Sequence, residues 1–199
     1  LNGVTSNYRF DLAEYTWQLV REMKGGQAIF SQPPLPIKCA GAPQKALYLS
    51  CDYWRRQGIL NNINVNFCLA GAAVFGIPQF VPPLTEYLGK YRAQVNFNHH
   101  LIRVDGEKRQ ATFAVETNEE GKRELTLPFD MLHVVPPQSA PAFISQSGLA
   151  DGAGWCDVDK STLQHKHWPD IFAVGDCCST PNAKTLAAAR KQVVVAAEN

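Results

Sequence analysis

The chain has 199 residues, of which 45 % are hydrophobic and 19 % are charged, and its formal net charge is +1. This near-neutral balance provides no basic field for a phosphate backbone, which argues against nucleic acid as a partner. No apolar run approaches the roughly 20 residues of a membrane-spanning helix. The six cysteines form no CxxC pair, which argues against a zinc site and against a disulfide-stapled secreted domain.

Helices and strands alternate in the first half of the chain. Apolar residues at helical spacing predict three helices, at about 12–23, 42–57 and 80–91. The first follows Asp11–Glu14, which is typical of a capping box, and the second carries Leu47, Cys51 and Trp54 on one face. Strands are predicted at 27–31 and 63–69, and a proline-rich loop at 32–36 follows the first of them.

The second half begins as a β-meander. Alternating residues predict strands at 101–104, 111–115 and 124–127, with turns at 105–106 and 120–121. An apolar strand at 131–135 ends at two prolines, and a looser stretch to residue 154 connects to a last strand at 171–174 and a helix at 183–197. This order predicts an α/β fold with a parallel sheet and an antiparallel insert.

The predicted strand at 171–174 leads directly into Gly175-Asp176. Ligands of parallel sheets bind outside the carboxyl ends of the strands, and glycine allows a cofactor to approach the backbone closely. The Asp176 carboxylate would accept a hydrogen bond from a ribityl hydroxyl, and the next helix N-terminus would favour a pyrophosphate or an anionic flavin edge. On these residues alone, an aspartate that caps the helix is an equal alternative. Together with Thr162 and Trp168-Pro169, the segment resembles the second FAD motif of flavoproteins with two dinucleotide-binding domains.

The glycines of Gly71–Gly76 follow the strand that ends at Leu69, where a G-x-G-x-x-G fingerprint is expected. Ala73 replaces the second glycine, which is the one that lets pyrophosphate approach the backbone. The next strand, near 95–98, lacks the acidic residue that binds a ribose 2′-hydroxyl. The sequence therefore predicts the fold of a nicotinamide domain without its nucleotide site.

Two cysteines have surroundings that favour chemistry. Cys39 follows Lys38 and precedes a predicted helix, which would stabilise its thiolate. Cys177 directly follows Gly175-Asp176 and would lie close to a bound flavin, although the adjacent Cys178 could share or replace its role. The remaining cysteines are interpreted as buried structural thiols: Cys51, Cys68 and Cys156. The histidines at 99–100, 165 and 167 have no ligand partner at a set spacing, so no metal site is predicted.

Long segments of the chain resemble the sulfide:quinone oxidoreductases of the mitochondrial-like type. Ile37–Lys45 is similar to the K-C-A-G-A-P-Q-K segment of that family, and Gly175-Asp176-Cys177 with Lys184-Thr185 and an alanine-rich helix is similar to its G-D-C…K-T-A-A-A. The segments 129–137 and 154–165 fit as well, so the resemblance spans essentially the whole chain. The family is a branch of the FAD-dependent pyridine nucleotide-disulfide oxidoreductase superfamily.

The resemblance implies a two-part organisation. Residues 1–137 are expected to form a nicotinamide-domain-like, three-layer Rossmann-type unit with the meander, that is, an NAD(P)-binding-like domain. Residues 138–199 are expected to be a linker and the returning part of the FAD-binding domain. The family's N-terminal G-x-G-x-x-G half of the FAD site is absent, and the chain starts without Met and ends inside a helix-like segment. We therefore expect an excised piece, which alone binds FAD weakly or not at all and is inactive.

The resemblance also implies the chemistry. Cys39 and Cys177 would be the catalytic pair. The cofactor-binding residues would be Gly175, Asp176, Lys184 and Thr185. Hydrosulfide would attack a disulfide or trisulfide between the two cysteines, one would become a persulfide, and two electrons would pass through FAD to quinone. The sulfane sulfur would leave to a small acceptor.

The family is expected to act at a membrane surface, the bacterial plasma membrane or the mitochondrial inner membrane, through parts absent from this chain. Two alternatives stay open. The first is an NADH-oxidising flavoprotein of the same superfamily, which an intact glycine fingerprint would favour. The second is a catalytically inert isolated domain. Yellow colour in the purified protein would distinguish a flavin-bound protein from the second alternative.

Overall fold

The computed structural model describes residues 1–117 and 121–199. These residues form two compact units. The first comprises Leu1–Leu35 and Gly41–Pro136, and the second comprises Pro36–Ala40 and Pro137–Asn199. The short segment Pro36–Ala40 therefore belongs with the C-terminal unit, which the sequence did not predict. The assignment of the two units to an NAD(P)-binding-like domain and to part of an FAD-binding domain stays a prediction.

The first unit contains a parallel sheet, helices and an antiparallel meander. Its helices are α1 (Ala13–Glu22), α2 (Ala42–Arg56) and α3 (Val81–Lys90). Its strands are β1 (Val4–Thr5), β2 (Gly26–Gln32), β3 (Ile63–Leu69), β4 (Gln94–Asn96), β5 (His99–Asp105), β6 (Gln110–Thr117), β7 (Gly121–Pro128) and β8 (Met131–His133). The short strand β1 was not predicted, and β4 corresponds to the strand expected near 95–98.

Both faces of the parallel sheet are buried. Phe30 of β2 packs in one core cluster with Leu47 and Trp54 of α2. Ile29, on the opposite face of the same strand, packs in a second cluster with Phe113 of β6. A strand segment covered on both sides has little need for polar residues, which explains the apolar runs Ala28-Ile29-Phe30 of β2 and Phe67-Cys68-Leu69 of β3. The unit thus has three layers, helices, parallel sheet and meander, and the predicted α/β class is confirmed.

The meander has the order β5-β6-β7 and is antiparallel throughout. A register shift between Leu101 and Arg103 interrupts the pairing of β5 with β6. The predicted turn after Asp105 is present, and the Asp105 carboxylate accepts a hydrogen bond from the backbone N–H of Lys108 at 2.9 Å. Of the turn predicted at 120–121, residue 120 lies outside the described residues.

The order of the parallel sheet is β1-β8-β2-β3-β4. The chain runs outward from β2 to β4 on one side, and β8 pairs with β2 on the other, so the strand order reverses at β2. Ligands of such sheets bind at this switch point, and the loop that follows β2 is Pro33–Gly41. The expectation that Gly71–Gly76 holds the fingerprint position is therefore wrong, because that turn follows β3, one strand further out. Periodicity identifies strands but not their order in the sheet.

Two local predictions fail. The first helix has Leu12 as its N-cap without a side-chain hydrogen bond, while Asp11 lies in a preceding 3-10 turn and pairs with Arg9. No strand forms at 171–174 in the described structure, where only a single bridge joins Gln164 and Phe172. An apolar run becomes a strand only where a neighbouring segment offers a ladder of hydrogen bonds, and a single bridge provides none.

The second unit is built from loops and two helices, α4 (Ala142–Gln146) and α5 (Leu186–Glu198). Isolated bridges tie its segments together, including Lys38 to Lys184 and Cys156 to Cys178. Its small core contains Ile144, Cys156, Val158, Ala173 and Cys178. Throughout the described residues of both units, no helix has the length and apolar character needed to cross a bilayer.

Candidate active site

The Gly175-Asp176-Cys177 turn is a 3-10 turn that packs against α5. Gly175 has φ +69, which favours glycine, and a Cβ placed there would lie 3.3 Å from the Cβ of Ala189. The backbone N–H of Gly175 donates a hydrogen bond to the side-chain oxygen of Gln192 at 2.8 Å. The position therefore needs glycine for its conformation and for its packing, independently of any cofactor.

Burial distinguishes the two adjacent cysteines. Cys178 is fully buried, and its thiol lies 3.2 Å from the carbonyl oxygen of Gly175 and 3.0 Å from the hydroxyl of Thr180. Cys177 is half-buried, and its thiol donates to the carbonyl oxygen of Val174 at 3.4 Å. A nucleophile or redox thiol has to be accessible, so Cys177 is the better candidate of the two.

The surroundings of Cys177 have opposing effects on the pKa of its thiol. Burial raises the pKa of the Cys177 thiol, and the neighbouring Cys178 raises it further. Backbone hydrogen bonds and the positive charge of Lys184 lower the same pKa to a smaller extent. Cys177 is therefore a partly desolvated thiol that has one cation in its surroundings.

Cys39 is held in an unusual backbone conformation. Its φ is +60, in the left-handed region that residues with a side chain rarely adopt. Its backbone N–H donates a hydrogen bond to the carbonyl oxygen of Lys184 at 2.8 Å, next to a parallel bridge between Lys38 and Lys184. Strained residues of this kind concentrate at functional sites, where the surrounding structure holds them in place. The half-buried Cys39 thus joins the same unit as Cys177.

The side chains of Lys184 and Thr185 are engaged within the protein. The Lys184 ammonium donates to the carbonyl oxygen of Cys178 at 2.5 Å and lies 4.5 Å from the ring centroid of Trp155. The Thr185 hydroxyl accepts a hydrogen bond from the backbone N–H of Ala188 at 3.1 Å and caps α5. Cofactor contact by these two residues stays a prediction, and their side chains are engaged within the protein.

The side chain of Asp176, in contrast to those of Lys184 and Thr185, is not engaged within the described protein. Its side chain is exposed, and within the described chain no hydrogen bond or ion pair of its carboxylate is found. The carboxylate is thus available as an acceptor. Thr185 satisfies the N–H of Ala188 in the first turn of α5, where the other N–H groups lack intrahelical partners. An exposed acceptor and a helix N-terminus thus occur in one segment.

The other cysteines are buried. Burial raises the pKa of Cys51 and of Cys68 to about 12, and it also raises the pKa of Cys156. Among the described residues the cysteines form no disulfide, and no group of three or more histidine, cysteine or acidic side chains is arranged to hold a metal ion. The deep burial of Cys51 and Cys68 agrees with their interpretation as structural thiols.

Two residues of the site were not among the predicted site residues. Gln192 donates to the hydroxyl of Thr180 at 3.1 Å and accepts from Gly175, so it ties α5 to the turn. Trp155 provides the ring over which the Lys184 ammonium lies. Both lie many residues away from their partners, and neither residue type at that spacing forms a recognisable motif.

Comparison with known proteins gives consistent relatives. No protein-family model matches the chain. It is 42 % identical to the mitochondrial sulfide:quinone oxidoreductase of Mus musculus, over 95 % of this chain and 42 % of that protein. It is 39 % identical to the mitochondrial sulfide:quinone oxidoreductase of Dictyostelium discoideum, over 100 % of this chain and 43 % of that protein. The chain therefore spans about two fifths of the length of these curated relatives.

Solved structures share the fold. The sulfide:quinone oxidoreductase of Aquifex aeolicus matches with a TM-score of 0.78 and 14 % identity, over 98 % of this chain and 49 % of that chain. The thioredoxin reductase of T. acidophilum matches with a TM-score of 0.63 and 17 % identity, over 99 % of this chain and 56 % of that chain. These likenesses support the predicted α/β fold class, with its parallel sheet and antiparallel meander. On the sequence identities above, the chain is homologous over nearly its whole length to mitochondrial sulfide:quinone oxidoreductases.

Proposed function

We propose that this chain is the thiol-bearing part of a flavoprotein that oxidises sulfide through Cys39 and Cys177 and passes the electrons to quinone. The observation that carries the proposal is the convergence of both cysteine segments on one residue. The backbone of Cys39 bonds to Lys184, and the Lys184 ammonium bonds to Cys178, the neighbour of Cys177. Both cysteines are half-buried, and both belong to the second unit.

The residues that are present fit part of an FAD site. The exposed Asp176 carboxylate suits a polyol hydroxyl, and the N-terminus of α5 suits an anionic edge or a phosphate. Gly175 and Asp176 would hold the cofactor, together with Lys184 and Thr185 at the N-terminus of α5. FAD, when bound, supplies a two-electron acceptor that quinone can reoxidise. This assignment of the cofactor residues is part of the proposal.

The first step of the thiol chemistry needs only the chain's own cysteines and hydrosulfide, and later steps need a sulfur acceptor and the electron acceptor FAD. In the oxidised state Cys39 and Cys177 form a disulfide or trisulfide. Written for the disulfide, attack by hydrosulfide on the Cys39 sulfur breaks the S–S bond, forms a new S–S bond in a Cys39 persulfide and releases Cys177 as a thiolate. The sulfane sulfur of the persulfide then leaves to a small nucleophilic acceptor. The pair requires Cα atoms within about 7 Å for a simple disulfide.

The place of action is part of the same proposal. The curated relatives named above are mitochondrial proteins, and we propose a peripheral location at a membrane that contains quinone. The alternative of an NADH-oxidising flavoprotein has less support, because the curated relatives at 38–42 % identity are sulfide:quinone oxidoreductases. The loop at the switch point of the sheet also carries prolines and Cys39 instead of a glycine fingerprint.

The proposal is tested by serine substitution of single cysteines in the full-length protein. Cys39→Ser and Cys177→Ser should each abolish sulfide-dependent quinone reduction, and the double variant should be no worse because the two sulfurs act as one unit. The matched controls are Cys51→Ser, Cys68→Ser and Cys156→Ser, which should keep most of the activity. Near wild-type turnover in Cys39→Ser refutes the pair. If Cys177→Ser stays active and Cys178→Ser is inactive, the second cysteine of the pair is Cys178 instead of Cys177.

A further inference from the structure

Lys184 is a lysine whose charge lies almost entirely inside the protein. The residue is 5 % exposed. Its ammonium contacts the carbonyl oxygen of Cys178 and the ring of Trp155, and none of the ion pairs found in the described residues includes it. A carbonyl and an aromatic face stabilise an ammonium but do not neutralise it. A buried charge without a counter-charge costs free energy, so an anion close to the Lys184 ammonium would stabilise the protein.

The anion that the site can generate is a thiolate. The titratable groups that interact with Cys177 are Cys178, Lys184 and Cys156, and Lys184 is the cation among them. Cys178 is fully buried and its thiol is engaged by Gly175 and Thr180. Cys177 is the half-buried neighbour of the residue whose carbonyl binds the ammonium. The charge of Lys184 is therefore directed to the segment in which a Cys177 thiolate would form.

The backbone of the same residue holds the other cysteine. The carbonyl oxygen of Lys184 accepts the hydrogen bond from the N–H of Cys39 at 2.8 Å, and Lys38 pairs with Lys184 in a parallel bridge. Cys39 keeps its left-handed conformation, with φ +60, at this contact. One residue thus ties the Cys39 segment through its backbone and the Cys177–Cys178 segment through its side chain.

We propose that Lys184 is a positioning residue that keeps the Cys39 and Cys177 segments together and supplies the counter-charge for the Cys177 thiolate. The inference rests on the proposed roles of the two cysteines. When hydrosulfide opens the Cys39–Cys177 bond, one negative charge moves from the attacking sulfur to the Cys177 sulfur. The buried ammonium stabilises that product charge without a change in the number of electrons or protons. Lys184 then acts on the thiol chemistry and not by direct contact of its ammonium with a cofactor.

Two substitutions of Lys184 separate its charge from its tether role, the hydrogen bond of its side chain to the carbonyl of Cys178. Lys184→Gln removes the charge but keeps an N–H donor for the carbonyl of Cys178. Lys184→Met removes both, and it fills a similar volume with an apolar chain, a change that buried charges often tolerate. Lys191→Met, at an exposed lysine of α5, is the matched control. Thermal unfolding of all three variants checks that they are folded.

The main readout is the rate at which iodoacetamide alkylates Cys177, followed by peptide mass spectrometry across the neutral to alkaline range. This measurement needs no sulfide, quinone or bound FAD. Lys184→Gln and Lys184→Met should shift the pH profile to higher pH and slow the reaction near neutrality by on the order of tenfold, the change in thiolate fraction that one pKa unit produces. Lys191→Met should match the wild type. An unshifted profile in Lys184→Gln overturns the charge role.

The second readout is the yield of the Cys39–Cys177 disulfide after oxidation by diamide, whose N=N bond takes up the two electrons and two protons of the thiols. The yield should fall at least severalfold in Lys184→Met and much less in Lys184→Gln. Equal yields in Lys184→Met and the wild type overturn the tether role. If these thiol readouts respond while the wild-type protein oxidises no sulfide, the proposed function fails and the role of Lys184 stands.

Discussion

The left-handed backbone of Cys39 leads to a prediction about stability. Cys39→Gly should unfold at higher urea concentration than Cys39→Ala, although both variants lack the thiol. At φ +60 a residue with a Cβ is strained by roughly 1–2 kcal/mol, and glycine removes this strain. The greater chain entropy of unfolded glycine offsets about 0.5–1 kcal/mol of that gain. The difference in the free energy of unfolding should therefore be about 1 kcal/mol in favour of glycine.

The control is the same pair of residues in a helix. Lys45 is an exposed residue of α2, and there Lys45→Ala should be more stable than Lys45→Gly by about 1 kcal/mol. The order of the two residues should thus reverse between the positions. Urea unfolding followed by circular dichroism measures all four variants, and a difference of this size also moves the melting temperature by roughly 2–4 °C.

The result also bears on function. If Cys39→Gly is no more stable than Cys39→Ala, the chain does not hold Cys39 in the left-handed region, and backbone strain ceases to support its catalytic role. If glycine is more stable, the native cysteine is retained at a cost in stability. Such a cost is expected where a residue is kept for its chemistry rather than for folding.

Three further predictions follow from burial and strand order. Burial lowers the pKa of His133 to about 4, from about 6.5 in an unfolded chain. The unfolded state therefore binds the proton first, and the free energy of unfolding should fall by about 3 kcal/mol as pH drops from about 6.5 to about 4. His133→Gln should remove this slope in urea titrations, and an unchanged slope contradicts the assignment. Cys51 and Cys68, whose pKa burial raises to about 12, should resist iodoacetamide in the folded protein and react in urea, and rapid labelling of the folded protein would show that they are accessible. Calorimetry should detect no NADH binding, because the loop Pro33–Gly41 at the switch point carries no glycine fingerprint, and micromolar affinity would contradict this expectation.

Much of the first unit could be predicted from local sequence. The spacing of Leu47, Cys51 and Trp54 predicts one buried face of α2, and all three side chains are fully buried. The strands β2 and β3 occur where their patterns of apolar residues predict them. Periodicity of this kind records which side of an element faces the core, and this is a local property of the chain. Local sequence does not predict the order of the strands, because parallel partners are joined only by hydrogen bonds between residues far apart in the chain.

The candidate site was also predicted only in part from the sequence. From the sequence by itself, the motifs around Cys39 and Cys177 predicted these two cysteines as the catalytic pair and indicated the resemblance to the sulfide:quinone oxidoreductases. Only the tertiary structure decided that Cys178 is buried while Cys177 is accessible, that residues 36–40 join the second unit, and that Lys184 binds both segments. Lys184 lies far along the chain from Cys39, and its side chain and its backbone bond to different segments. Such contacts depend on how the chain folds back on itself, and no spacing of residues along the sequence encodes them.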